Sequence, residues 1–389
     1  MTGPALPPAQ RVPNEVLSLI CDNVSDPKAL VSLCQTSRLF LVLAQPSLYH
    51  RVILDGKRIQ TLRNWCVAVA THPHLAKRVH SLTASLPNLS ALEPNDAEKM
   101  VTALRACVNL KELQMSSCSL NLVPGSPWML EDCSFQLTIF RGSYFCLDRT
   151  MLRFLASQKA IQVLEVPRWV GSDESDLIQA QFREATPATL PNLIAVSGPL
   201  ETLPLNYPLR RIQTDPSSRP LLTPLAQYGS TLTTLNLVLP TLSMSIHPSK
   251  LIWMAAWRFP ALLHFALVEI GTTGLASTSA RLRLVGPPPS GDLWRFSSLE
   301  TFTLFSRNLD FTRSSSSVSI TYPCNTEHGM RELAIDTLNS RATLTRAVIG
   351  YQVTPEKEWM CTATRVPGGV PKTILQDGMD FEAVSMFAA

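Results

Sequence analysis

Apolar residues in the first fifty positions return every three or four places, the period of an α-helix. Val16, Leu17, Ile20 and Val24 follow Pro13, a residue tolerated in a first helical turn because its missing N–H has no partner there. Asp26 and Pro27 supply an N-cap carboxylate and an N1 proline for a second helix holding Leu30, Val31, Leu33 and Cys34. Ser37 can cap a third, with Leu39, Phe40, Leu41, Val42 and Leu43, and Pro46 is expected to stop it. Three short helices bury little by themselves. Their apolar positions nevertheless wrap more than one face, so a second neighbour is needed beside the sibling helices. The pattern therefore predicts a docking module over residues 11–54, behind a disordered N-terminus at 1–10. A linker helix at 55–78 follows, with Ile59, Leu62, Trp65, Cys66 and Val69 on its apolar side.

Farther on the pattern changes to short alternations typical of strands. In "LKELQMSSCSL" the residues Leu110, Leu113, Met115, Cys118 and Leu120 stand at offsets 0, 3, 5, 8 and 10. The frame recurs at Val79, Leu82, Ala84, Pro87 and Leu89, at Leu190, Leu193, Ala195, Gly198 and Leu200, and at Leu232, Leu235, Leu237, Pro240 and Leu242. Leu299, Phe302, Leu304, Arg307 and Leu309 repeat it, partial copies begin at Ile161, Leu209, Leu262 and Met330, and Gln136–Phe140 reads as a further strand. "DAEKMVTALRAC" and "DRTMLRFLASQ" read as helices on the return path, with Asp96 and Asp148 as N-caps. "GPPPSG" and "RSSSSVS" read as loop insertions, "GSDESD" as a solvated acidic loop, and 351–389 as a C-terminal cap or tail.

Composition narrows the function classes. The chain has 389 residues with 45% hydrophobic and 16% charged positions, the balance of a folded protein. A net charge of +4, without a basic stripe interleaved with aromatics, carries no footprint for nucleic acid. Nine cysteines, an odd number without a C-x-x-C pair, read as reduced thiols, which places the chain in the cytoplasm and/or the nucleus. "MTGPALPPAQ" lacks the apolar core of a signal peptide, and "LIWMAAWRFPALLHFALVEI" carries Arg258, Pro260, His264 and Glu269, which argues against a membrane span. His72, His74 and His80 cluster without a carboxylate or thiol at ligand spacing, so no metal is expected. G-x-S-x-G, G-x-x-x-x-G-K-[ST] and G-x-G-x-x-G are missing from the chain, and no cofactor is expected.

The N-terminal stretch "VPNEVLSLICDNV…DPKALVSLCQTSRLF…AQPSLYHRVIL" resembles the F-box motif, with Gln35 where such motifs often carry a basic residue. The resemblance implies binding of a Skp-family adaptor, and through it a cullin–RING ubiquitin ligase. Val12, Pro13, Glu15, Val16, Leu17, Ile20, Leu30, Leu33 and Cys34 form the implied adaptor-binding set, some of which can instead be core. Residues 79–350 resemble leucine-rich repeats, L-x-x-L-x-L-x-x-[NC]-x-L, with irregular spacing and no asparagine ladder. The expected fold is α+β/α/β: a three-helix F-box followed by an irregular leucine-rich-repeat-like βα solenoid with a curved parallel sheet. A non-repetitive α/β domain is the rival architecture. In a repeat of this kind the residues between the inward leucines face the concave side. Those are Glu112, Gln114, Glu165, Arg211, Gln213, Asn236, Thr301, Thr303, Phe305, Glu332 and Asp336, the candidate surface for an unidentified protein substrate. The implied role is a non-catalytic substrate receptor of a ubiquitin ligase. The alternatives are an F-box scaffold outside any ligase and, from another class, a hydrolase with a helical cap.

Overall fold

A computed structural model describes residues 12–24, 26–55, 58–86, 94–117, 127–166, 173–216, 222–240, 248–270, 284–286, 290–306, 309–315, 318–322, 326–354 and 357–378. The predicted disordered segment at 1–10, the offset positions Pro87, Leu89, Cys118, Leu120, Leu242 and Arg307, and the end of the tail lie outside them. The chain divides into two compact units. The first comprises residues 1–161, 167–179 and 189–192, and the second 162–166, 180–188 and 193–389.

The first unit opens with α1 (Asn14–Asp22), α2 (Pro27–Thr36) and α3 (Arg38–His50). The Asp26 carboxylate accepts from the Lys28 amide at 3.0 Å, and the Ser37 hydroxyl from the Phe40 amide at 3.2 Å, so both predicted caps are present. Pro46 does not end α3, which continues to His50. The ring removes one helical hydrogen bond, while Leu43, Ala44 and Leu48 on the same helix stay packed in the core of the three helices. β1 (Arg51–Leu54) follows directly, and then α4 (Ile59–Thr71), α5 (Pro73–Ala76), β2 (Ser81–Leu86), α6 (Pro94–Ala106), β3 (Glu112–Ser117), β4 (Ile139–Arg141) and α7 (Arg149–Ser157). β1, β2, β3 and β4 pair in that order, all parallel.

The expected linker helix is a packed layer of this unit. Leu62, Trp65, Cys66 and Val69 of α4 are buried, and α4 lies against α6. The two are joined by a bidentate ion pair. Arg63 Nε and Nη2 donate to the Asp96 carboxylate at 2.9 and 2.7 Å, with Asp96 buried. Asp96 thus stands inside α6 as a buried partner of Arg63, where an N-cap was expected. Asp148 does cap α7, accepting from the Met151 amide at 2.8 Å.

α8 (Asp173–Arg183) comes next in the chain, and its first turn takes in part of the predicted acidic loop. The second unit has β5 (Val163–Glu165), β6 (Ala195–Ser197), β7 (Arg211–Thr214), β8 (Thr234–Pro240), α9 (Pro248–Arg258), β9 (His264–Ile270), β10 (Leu284–Gly286), α10 (Ser290–Leu293) and β11 (Thr301–Ser306). It ends with β12 (Leu309–Ser315), β13 (Val318–Tyr322), α11 (Glu327–Asn339), β14 (Arg346–Thr354), β15 (Lys357–Thr364) and β16 (Lys372–Asp377). β5, β6, β7, β8, β9, β11 and β14 pair in that order and in parallel, and β15 and β16 extend the sheet antiparallel. β10, β12 and β13 form a separate small sheet, so "RSSSSVS" contributes to a hairpin, where a loop was expected. The predicted cap boundary at 350 falls inside β14.

One junction recurs at the strand starts. The Lys111 and Glu112 amides both donate to His80 O, at 2.8 and 3.0 Å. Thr138 and Ile139 do the same to Lys111 O, Ile194 and Ala195 to Gln162 O, Arg210 and Arg211 to Ile194 O, and Thr233 and Thr234 to Arg210 O. The junction appears again before β9, β11 and β14. It aligns the inward residues. Val52, Leu82, Leu113 and Phe140 stand in register in the first unit, and Leu164, Val196, Ile212, Leu235, Phe265, Phe302 and Ala347 in the second. Two predicted copies are misplaced. The frame read at Leu190 is shifted by three residues, since Val196 and not Leu193 occupies the column. The partial copy at Met330 is α11, and the matching strand is β14, entered through buried Leu344, Ala347 and Ile349.

On the other face Phe305 packs with Ala266 and Val268, and a Cβ placed on Gly350 would strike the Phe305 ring. Gly350→Ala is therefore expected to lower stability by about 1–3 kcal/mol, the usual cost of overpacking. The loss should shrink when Phe305 is also replaced by alanine. Urea unfolding of the two single variants and the double variant measures the coupling; equal losses in both backgrounds would remove this account of Gly350.

Candidate functional site

The N-terminal helices separate into two sets of side chains. Cys21, Leu30 and Ala44 are buried and form the small core, and Val24, Leu33, Cys34, Phe40, Leu43 and Leu48 pack against it. Leu30, Leu33 and Cys34 recur at helical spacing on α2, so one stripe of that helix faces inward. Of the expected adaptor-binding set, Leu30 is thus a core residue, and Leu33 and Cys34 are half-buried against that core. Val12, Pro13, Glu15, Val16 and Ile20 are exposed, and Leu17 is half-buried.

The exposed apolar residues are too numerous for an ordinary helical surface. Val12, Val16, Leu19 and Ile20 keep 52%, 43%, 62% and 51% of their area in solvent. Val31 on α2 and Leu39, Leu41 and Val42 on α3 are exposed as well. Leu19, Val31, Leu39, Leu41 and Val42 were missing from the predicted set. The signal for them was the near-continuous apolar run of α3, which no single inward stripe can absorb. An apolar patch rimmed by polar residues marks a protein-binding surface.

The second candidate surface is the strand face opposite the inward column. Alternation brings Arg211, Thr234, His264 and Thr301 into one row and Gln213, Asn236, Ala266 and Thr303 into the next. Arg211, Gln213 and Thr301 are half-buried, whereas Asn236, Thr303 and Phe305 are buried. Gln213 Nε2 donates to Ser197 Oγ at 3.1 Å, and His264 Nδ1 lies 2.8 Å from Thr301 Oγ1. The Asn236 amide makes no hydrogen bond to a described residue. Glu165 lies on β5 in register with Ser197. Glu112 and Gln114 belong to β3 of the first unit, where Arg141 Nη1 reaches Gln114 Oε1 at 3.5 Å. Glu332 and Asp336 are not on a strand; they lie on α11, because the frame at Met330 is helical. Ser197 and His264 on this face of the second unit, and Arg141 beside Gln114 in the first, were not foreseen, since the mixed chemistry between the leucines gave no reason to choose them.

The histidines are held by other contacts. His72 caps α4, with Nδ1 3.0 Å from Ala68 O, and His80 stacks on His50 at 4.5 Å. Among the described residues no three ligand-type side chains converge. Burial pushes the Cys66, Cys107 and Cys133 thiols up to about 12, which leaves them protonated and weakly nucleophilic. No helix among the described residues is long and apolar enough to cross a membrane.

Residues 9–55 match the F-box-like family, so the three helices and β1 are an F-box-like domain. Domains of this family dock Skp-family adaptors and are in general non-catalytic. Compared with curated proteins, the chain matches none.

Burial lowers the pKa of His264; Arg211 adds to the shift and Glu300 opposes it. The folded state thus prefers the neutral imidazole. Its contribution is complete above the unfolded value of about 6.5 and is lost as pH falls through the lower folded value. The unfolding midpoint should decline below pH 6.5 more steeply for the native protein than for His264→Gln; parallel declines would show that another group governs the acid limb.

Proposed function

We propose that the chain is the substrate-recognition subunit of an SCF-type ubiquitin ligase. The observation that carries this reading is the apolar surface of Val12, Val16, Leu19 and Ile20 on a domain that matches the F-box-like family. The helices expose aliphatic area that their own core does not use, and a Skp-family adaptor is the partner that covers it. The adaptor joins the chain to a cullin–RING ligase in the cytoplasm or nucleus. The strands that share one junction and one inward column read as irregular leucine-rich-repeat-like units, supported by the registers in both units. Their opposite faces, with Glu112, Gln114, Glu165, Arg211, Gln213 and Thr301, hold a protein substrate. The chain performs no bond chemistry; it raises the local concentration of substrate lysines at the ubiquitin-charged enzyme.

Co-expression with a Skp-family adaptor and size-exclusion chromatography test the first step. The native chain should elute as a stable 1:1 complex. Val16→Glu with Ile20→Glu should weaken it at least tenfold without changing the unfolding midpoint, because both residues are exposed. Leu30→Ala should lower stability by about 2–5 kcal/mol, as a core truncation does, and with it the unfolding midpoint. A well-folded native chain that binds no adaptor would defeat the proposal. An adaptor complex that never recruits a cullin would leave a scaffold outside the ligase.

A further inference from the structure

The second unit carries an exposed aromatic and cationic platform that neither the F-box-like domain nor the strand face uses. Trp253 and Trp257 lie one helical turn apart on α9 with parallel rings, 6.4 Å between centroids and 6° between planes. They keep 40% and 65% of their area exposed. The Arg258 guanidinium lies 5.3 Å from the Trp257 ring centre. α10 packs between α9 and α11, and just beyond it Trp294 is 56% exposed, with the Arg295 guanidinium 4.6 Å from its ring. Arg341, at the end of α11, donates to Trp294 O and Ser297 O at 2.8 and 2.9 Å, which ties the segments together.

Tryptophan is the side chain a fold exposes least readily, because each buries a large apolar area when covered. Here three are left in solvent, two on α9 at positions that helix could fill with any polar residue and one in the turn after α10. The charge of the surroundings says what covers them. Lys250, three residues before Trp253, shares its stripe of α9. Among the described residues Arg258 and Arg341 form no ion pair, and the Arg341 guanidinium donates to carbonyl oxygens. Asp292 faces Arg295, and burial raises its pKa while Arg295 opposes the rise. Guanidinium groups against indole faces keep their outer donors free for carboxylates.

We propose that this platform docks an extended, acidic segment of a partner protein. Alternate side chains of an extended chain are about 6.6 Å apart, close to the 6.4 Å between the two indoles of α9. Two apolar side chains at alternate positions then cover Trp253 and Trp257, while flanking carboxylates meet Lys250, Arg258 and Arg295. The surface is independent of adaptor docking, and it stands whether or not the chain belongs to a ligase.

The probe is a fluorescein-labelled peptide with two phenylalanines at alternate positions between runs of glutamate and aspartate. Its anisotropy is read against the full-length chain. Saturable binding is expected, weaker at high salt and at least tenfold weaker when the acidic runs are replaced by lysine. Trp257→Ala and the pair Arg258→Glu, Arg295→Glu should each reduce affinity at least tenfold while leaving the unfolding midpoint unchanged. The proposal is overturned by a lack of saturation, by equal affinity for the lysine peptide, or by variants that bind as the native chain does. Tighter binding of a single-stranded oligonucleotide would overturn it too, in favour of a base-stacking surface.

Discussion

A backbone carbonyl that accepts two consecutive amides sets the register on which both sheets depend. His80 O, Lys111 O, Gln162 O, Ile194 O and Arg210 O each accept the amide just before the next strand and that strand's first amide. Thr138, Thr233 and Thr345 add a hydroxyl to the same type of carbonyl, at 3.1, 3.0 and 3.1 Å. With the start of each strand held, the third position from the leading apolar residue turns inward, as at Leu82, Leu113, Leu164, Ile212 and Leu235. A slip of one residue would exchange the apolar column for the polar rows. The irregular distance between copies is then harmless. Return paths of different length, helical or not, lead back to the same junction, and loop length costs little once the ends are fixed.

The same register explains how the F-box-like domain is attached. α3 ends at His50 and β1 begins at Arg51, so no linker separates the docking helices from the first strand. Val52 and Leu54 of β1 are buried in register with Leu82 and Ala84, and the His80 amide donates to His50 O at 3.0 Å. Swinging the helices away from the rest of the first unit would break this ladder and the His50–His80 stack. For the proximity role proposed above, a fixed mount and a flexible tether are different devices. A tether spreads the held molecule over a volume, and a fixed mount confines it to an orientation.

Much of this was legible in the sequence, and the failures have identifiable causes. The caps at Asp26, Ser37 and Asp148 were readable because a side-chain acceptor before an apolar run has few other uses there. Leucines at offsets 0, 3 and 5 found the strands at Leu82, Leu113, Leu235, Phe265 and Phe302. The frame failed at Met330 because positions 0 and 3 belong equally to a helix. Met330, Leu333, Ala334, Thr337 and Leu338 follow the 3.6 period and are all buried on α11. It missed β14 because the column there is held by Ala347, opposite the large Phe302. Asp96 was misread as a cap because nothing local reveals Arg63, thirty-three positions away. The adaptor set mixed core with surface because a motif preserves residue types without their directions; only packing shows that Leu30 points in and Ile20 points out.

Three surfaces remain whose chemistry differs, and the difference constrains what each can do. The helices of the F-box-like domain expose aliphatic side chains, which bind by area and discriminate weakly among apolar partners. The strand rows offer amides, hydroxyls, an imidazole and Arg211 at fixed spacing, which suits selection by hydrogen bonding more than by burial. The α9–α10 platform joins indoles to guanidinium groups, the pairing most often found where a few residues carry most of an interface. A constant partner is best served by the first kind of surface and a chosen one by the other two. On the functional reading proposed above, generic docking falls to the helices, and selection to the strand faces and the α9–α10 platform; that division follows from the kinds of atoms each surface exposes.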